Sequence, residues 1–188
     1  ITNAAPAGTY TITVTVSDNC GATVQQTFTL TVNSPPTITA GVTATRQQSS
    51  AGTSATIATV NDAETPKQNL TVAVMSASTG ISLISISAPN ASTGAVTAMV
   101  AADCTAALGD NTVVLKVTDG DNATATANLT VNVTANSAPT VGTYANTTLA
   151  PSGNTTVTPN AAPADNGMIS SVTAAASAGF TGTLMGNT

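Results

Sequence analysis

The chain has 188 residues, a formal net charge of -5, no histidine, and only Arg46, Lys67 and Lys116 as basic side chains. That balance cannot form the basic stripe that a phosphate backbone requires, which excludes nucleic acid as a partner. Thr, Ala, Val, Ser and Asn dominate, aromatic residues make up 2% and Trp is absent, so pleated strands and polar turns are favoured over helices.

In chain order, the first predicted element is a hairpin. Tyr10, Ile12, Val14 and Val16 alternate with threonines, Asp18-Asn19-Cys20-Gly21 turns the chain, and Val24, Phe28, Leu30 and Val32 continue the alternation. One face is apolar and the other is threonine, the pattern of a half-buried antiparallel pair. After Asn33-Ser34-Pro35-Pro36 come strand candidates at Ala55 to Val60, Leu70 to Met75, Ile81 to Ile86 and Ala95 to Val100, separated by Gly, Pro and Asn. A second hairpin follows: Val113, Leu115 and Val117 lead to Asp119-Gly120-Asp121-Asn122, after which Ala125, Ala127, Leu129, Val131 and Val133 share one face. No run approaches the roughly 18 apolar residues of a membrane span, and any export signal is expected outside these residues.

The hairpin and its linker occur twice. Val14 to Asn19 is matched by Leu115 to Gly120, and Asn33-Ser34-Pro35-Pro36-Thr37-Ile38 by Asn136-Ser137-Ala138-Pro139-Thr140-Val141. The spacing, about one hundred residues, is the size of one immunoglobulin-like sandwich. The expected architecture is therefore all-β, a tandem of immunoglobulin-like β-sandwich modules, one complete and two partial. Residues 1–34 supply the C-terminal hairpin of a first module, 35–135 a complete module, and 136–188 the N-terminal part of a third. The third departs from the second, with Pro159, Pro163 and Asn166 placed where the second has Asp62 and Glu64.

Gly8 to Ala22, and Ala102-Asp103-Cys104 with Gly109 to Val113, resemble the last two strands of bacterial immunoglobulin-like and cadherin-like repeats. Asn61-Asp62-Ala63-Glu64 followed by Leu70-Thr71-Val72 is similar to an early strand pair of such repeats. The resemblance covers essentially the whole chain and implies a fold family: spacers, adhesin stalks, surface-layer components and fibre subunits of large extracellular bacterial proteins. It implies no activity.

Candidate chemistry is sparse. Without histidine there is no Ser-His or Cys-His nucleophile pair and no imidazole ligand, and the carboxylates lie in Gly- and Asn-containing turns, so catalysis and a bound cofactor are not expected. Calcium is the strongest metal signal. Asp119 and Asp121 offer hard oxygens at alternating positions of a turn, and Asp62 and Glu64 form a second cluster. Asp119-Gly120 is also a hairpin signal that needs no metal, and a true site would need about six oxygens, with the two clusters meeting or a neighbour contributing. Cys20 and Cys104 fall at distant poles of successive modules, several tens of ångströms apart at about 3.3 Å per strand residue, against a limit near 7 Å between bridged Cα atoms. Each is expected to be free or bonded outside the chain. Lys116 alternates out of phase with Leu115 and Val117, which places it on the outer face; Arg46 and Lys67 read as solvated charges.

Two functions follow from these residues. One is mechanical: a segment of an extracellular stalk or fibre, joined to neighbouring modules or to copies of itself through the apolar faces at Val14, Phe28, Leu30, Val141 and Leu184. The other is calcium-assisted recognition of a surface glycan or protein. Sugar-binding faces rely on exposed aromatic platforms, whereas Tyr10 falls on the apolar face and Tyr144 near a linker, which favours the first.

Overall fold

The computed structural model describes residues 5–167 and 169–175. Among the described residues, ten strands run in chain order: β1 (Gly8–Ser17), β2 (Thr23–Val32), β3 (Thr37–Ala40), β4 (Ala44–Gln47), β5 (Thr53–Asn61), β6 (Thr71–Ala77), β7 (Ile81–Ile84), β8 (Ala95–Ala102), β9 (Gly109–Thr118) and β10 (Thr124–Thr134). One 3-10 turn, Lys67–Asn69, precedes β6. β3 to β10 form two four-stranded sheets, ordered β4-β10-β9-β6 and β3-β5-β8-β7. The chain is an all-β protein built on a β-sandwich.

Period-2 alternation explains why the sheets face each other as they do. Val113, Leu115 and Val117 on β9, and Leu129 and Val131 on β10, turn inward against Ile57, Val60, Val96 and Val100 of the opposite sheet, and all nine are fully buried. Fully burying each such side chain is worth roughly 1.5 to 3 kcal/mol, and the contiguous cluster is what holds the sheets together. Bulges between Thr56 and Ala58 and between Val74 and Ser76 break the ladders, as expected where strands must curl to close over a core. Lys116 lies on the outer face, between Ala73 and Thr126.

β1 and β2 form a separate two-stranded sheet that repeats β9 and β10 residue for residue. Tyr10 pairs with Leu30, Ile12 with Phe28 and Val16 with Val24, as Asn111 pairs with Val131, Val113 with Leu129 and Val117 with Ala125. The turns match as well. Asp18 N donates to Ala22 O at 2.9 Å and Asp119 N to Ala123 O at 3.1 Å. Asp18 Oδ1 accepts from Cys20 N and Ala22 N, and Asp119 Oδ1 from Asp121 N and Ala123 N. Even the strand entry is copied: Tyr10 Oη donates to Pro6 O, four residues back, and Asn111 Nδ2 to Ala107 O, also four back.

The left-handed residue of each turn is Gly21 (φ 88°) or Asn122 (φ 69°). The hairpin is therefore a three-residue loop closed by a residue in the left-handed region. This corrects the expectation that Asp119-Gly120 sets the turn, because Gly120 holds an ordinary negative φ and Asn, which tolerates the left-handed region, does the work two positions later.

Residues 136–175 repeat the front of the module. Thr37 pairs with Asn61 in the β3–β5 ladder, and Thr140 bridges Ala164. In each pair the first threonine hydroxyl donates to the second residue's carbonyl, across 24 residues in both cases. Tyr144 bridges Pro159 further along. That register makes Asp165 the counterpart of Asp62 and Gly167 the counterpart of Glu64. Asp165 and Gly167, rather than Pro159, Pro163 and Asn166, therefore stand where the second module has Asp62 and Glu64: the third segment keeps the first acid and loses the second.

Candidate functional site

Each of the two junctions between repeats gathers polar side chains that the alternating pattern leaves unexplained. At the first, the Asn33-Ser34 linker enters between the β9–β10 turn and the loop after β5. Asn33 Nδ2 donates to Asp119 Oδ2 at 2.8 Å. Ser34 donates twice to Glu64 Oε2, from its hydroxyl at 2.5 Å and its backbone N–H at 3.2 Å. Asp62 Oδ1 accepts the backbone N–H groups of Glu64 and Thr65, an Asx turn that shapes the loop, and Gly120 N reaches Thr65 Oγ1 at 3.5 Å.

Asp62, Glu64 and Asp119, read from sequence as two separate clusters, thus meet at one pole, with the linker between them. Asp121 is exposed and contributes its N–H to Asp119. Asp119 is 7% exposed. Its carboxyl is held below the usual range chiefly by the Asn33 amide, then by the turn N–H groups, while its burial pushes the other way.

The second junction keeps the plan with different atoms. Gln47 Nε2 donates to Ser137 Oγ at 2.7 Å, and Asn166 Nδ2 to Gln47 Oε1 at 2.9 Å. Ser50 forms a bridge with Gly167, and Ala51 N donates to Asn166 O. Here the backbone of the preceding module comes so close that a Cβ on Gly167 would lie 2.1 Å from Ser49 O. A glutamate at this position has no room, which is the physical reason the acid of the first junction has no counterpart in the second.

Among the described residues, three buried side-chain atoms lack a hydrogen-bond partner: Asn33 Oδ1, Asp62 Oδ2 and Asp165 Oδ1. All are oxygens, and all lie at junctions. Oxygen-only sets suit a hard cation by type. No group of three acidic or cysteine side chains among the described residues is gathered closely enough to hold a metal, so any such ligation would draw on Asn33 and on backbone groups.

Arg46 is not the solvated charge that its polar stretch implies. From β4 its guanidinium donates to Val100 O on β8, to Thr53 O at the start of β5 and to Thr45 O. It clamps one sheet to the other, and partial burial lowers its pKa. Lys67 Nζ likewise donates to Ser92 O. A single charged residue in a polar stretch has no periodic signature, so neither contact could be found from sequence.

Cys20 and Cys104 are both free and exposed. Of the expected interface residues, Val14 is 50% exposed, Phe28 49% and Val141 63%, Leu30 is half-buried, and Leu184 lies outside the described residues. No helix among the described residues is long and apolar enough to cross a membrane.

No family model matches the chain, and no curated protein matches it. Solved structures to which it is similar include two endo-fucoidan hydrolases of glycoside hydrolase family 107. One has 19% identity and a TM-score of 0.40, with 69% of this chain and 19% of that chain covered. The other, an H294Q form, has 16% identity and a TM-score of 0.39, with coverages of 75% and 20%. Protocadherin gamma B2 extracellular cadherin domains 3-6 have 16% identity and a TM-score of 0.34, with coverages of 66% and 31%. The chain spans less than a third of the length of each, and its assignment as a β-sandwich rests on its own two sheets.

Proposed function

We propose that the chain is a structural repeat segment of an extracellular bacterial fibre, filament or adhesin stalk, with no enzymatic role. The observation that carries this reading is the junction itself. Twice, an Asn-Ser linker is hydrogen-bonded into the neighbouring module, by Asn33 and Ser34 onto Asp119 and Glu64 and by Ser137 onto Gln47. Linkers built only to tether have no need of such bonds; modules that transmit force or hold an orientation do. The absence of histidine and the exposed threonine faces fit a mechanical element better than a reactive one.

Residual dipolar couplings on the full chain test it. Residues 37–134 and 140–167 are expected to share one alignment tensor, and Gln47→Ala with Asn166→Ala is expected to uncouple them. Independent tensors in the unmodified chain would contradict the stalk reading.

The donorless oxygens favour one second reading, a calcium-assisted adhesion module that recognises a glycan or protein. Asn33 and Asp62 would supply ligands beside Asp119 and Glu64. Binding to the folded state would raise the melting temperature by mass action. The hydrogen-bonded junction predicts at most a shift of a few degrees between calcium and chelator; a large shift abolished by Asp62→Asn would establish the second reading instead.

A further inference from the structure

We infer that Asn166 is a site of spontaneous deamidation, and that its conversion to aspartate or isoaspartate irreversibly releases the second junction. Asn166-Gly167 is the one Asn-Gly pair in the chain, and it arises from two separate demands of that junction. Position 167 must be glycine, because Ser49 O leaves no space for a Cβ. Position 166 must carry an amide, because its Nδ2 donates to Gln47 Oε1 at 2.9 Å and to Ser137 Oγ at 3.4 Å. Meeting both demands places the residue with the least hindered backbone nitrogen directly after an asparagine.

The reaction needs only water, and Asn166 is exposed. The Gly167 backbone nitrogen attacks Asn166 Cγ; the N–Cγ bond closes a cyclic succinimide, the Cγ–Nδ2 bond breaks, and ammonia leaves with the Gly167 amide proton. Water then opens the ring. Cleavage of the new N–Cγ bond gives aspartate, and cleavage of the original peptide bond gives isoaspartate, whose main chain runs through Cβ and Cγ. One water is consumed and one ammonia released.

The closed junction restrains the first step. Two acceptors hold the Asn166 amide, and Gly167 is bridged to Ser50 in an antiparallel pair. Cyclisation swings the Gly167 nitrogen toward the Asn166 side chain, a backbone rotation incompatible with that bridge, so the rate follows the fraction of time the junction is open.

The product cannot re-form the junction. A carboxylate oxygen stands where Nδ2 donated and faces the acceptor Gln47 Oε1. It is also a second negative charge beside Asp165, whose Oδ1 is already buried without a partner. Isoaspartate further adds a backbone carbon between positions 166 and 167, which breaks the register of the Ser50–Gly167 bridge and of the bond from Ala51 N to Asn166 O. The first junction has Ala63-Glu64 at the equivalent positions and is durable where the second is not. This chemistry rests on the geometry of the junction and not on the mechanical role.

Peptide mapping by mass spectrometry, on full chain aged at mildly alkaline pH, tests it. Asn166 is expected to gain about one mass unit faster than Asn33 and Asn136, each of which is followed by serine. Gln47→Ala, which removes an acceptor of Asn166 Nδ2, is expected to speed the gain about fivefold, the change in open fraction that loss of one hydrogen bond gives; retained cooperative unfolding of the central module confirms that this variant is folded. Dipolar couplings of Asn166→Asp are expected to show residues 37–134 and 140–165 uncoupled. Three outcomes overturn the inference: an Asn166 that converts no faster than Asn33 and Asn136, an unchanged rate in Gln47→Ala, or a single alignment tensor in Asn166→Asp. Ordered couplings in the fresh chain together with an Asn166 that stays intact leave the stalk reading standing and remove the deamidation site alone.

Discussion

Asp119 shows how one side chain can serve a turn and a junction together. Its Oδ1 holds the β9–β10 loop through two backbone N–H groups, and its Oδ2 receives the Asn33 amide. Its folded pKa is depressed, so the stability it contributes is present above the ordinary aspartate value of about 3.9 and is lost as pH falls through the lowered folded value. Removing the largest cause should raise that pKa. In Asn33→Ala the Asp119 carboxyl is expected to titrate closer to the ordinary range, so that the junction loosens at a higher pH than in the unmodified chain. Carbon-detected NMR titration would follow it. Asp103, depressed by the Thr105 hydroxyl at the opposite pole, is the internal control, and an Asp119 curve that does not move would refute the role given to Asn33. At this scale the sequence was only partly legible. The turn chemistry of Asp62 and Asp119 follows from residue type. The partner of Asp119, by contrast, lies 86 residues away and is brought there only by the closed sandwich.

At the scale of elements, the two hairpins form a natural experiment in which nearly the same strand pair is buried once and left open once. Leu115→Ala removes a fully buried side chain, for which a loss of about 2 to 5 kcal/mol is expected. Val14→Ala, at the equivalent position, is expected to change monomer stability by less than about 0.5 kcal/mol. Urea unfolding of dilute full chain compares them, and equal losses would mean that the first hairpin is covered after all. At the second junction, Gly167→Ala should force its new methyl against Ser49 O and speed amide exchange at Ala51, which donates to Asn166 O; unchanged protection there would remove the packing explanation for the missing acid.

The longer strands β5, β8, β9 and β10 could be read from alternation, because one face of each packs on the core. β3 and β4 could not, since four residues hold only two inward positions. β7 was expected to reach Ile86 and ends at Ile84, because Ser85 takes a left-handed φ of 55° and breaks the ladder.

For the whole molecule, the repeat fixes what is complete. Among the described residues, only 37–134 supply both sheets around a closed core. That module, expressed as Pro36 to Thr134, is expected to unfold cooperatively by itself, whereas a hairpin of the β1–β2 kind is marginal without a second sheet. The duplicated linker is the sequence feature that suggests this organisation, because Asn33 to Ile38 and Asn136 to Val141 recur at the same point of the repeat. That Asp165 corresponds to Asp62 was not readable, since strand register there is set by two isolated bridges rather than by a run of alternating residues.

Native-state hydrogen exchange on the full chain, at a concentration low enough to keep it monomeric, tests the central claim most directly: that equivalent strands differ in stability only because one pair has an opposing sheet and the other does not. Amides of β9 and β10 are expected to exchange only through global unfolding of the central module, while those of β1 and β2, in the same register and with the same turn, exchange orders of magnitude faster. Equal protection of the two hairpins in the monomer would contradict the account.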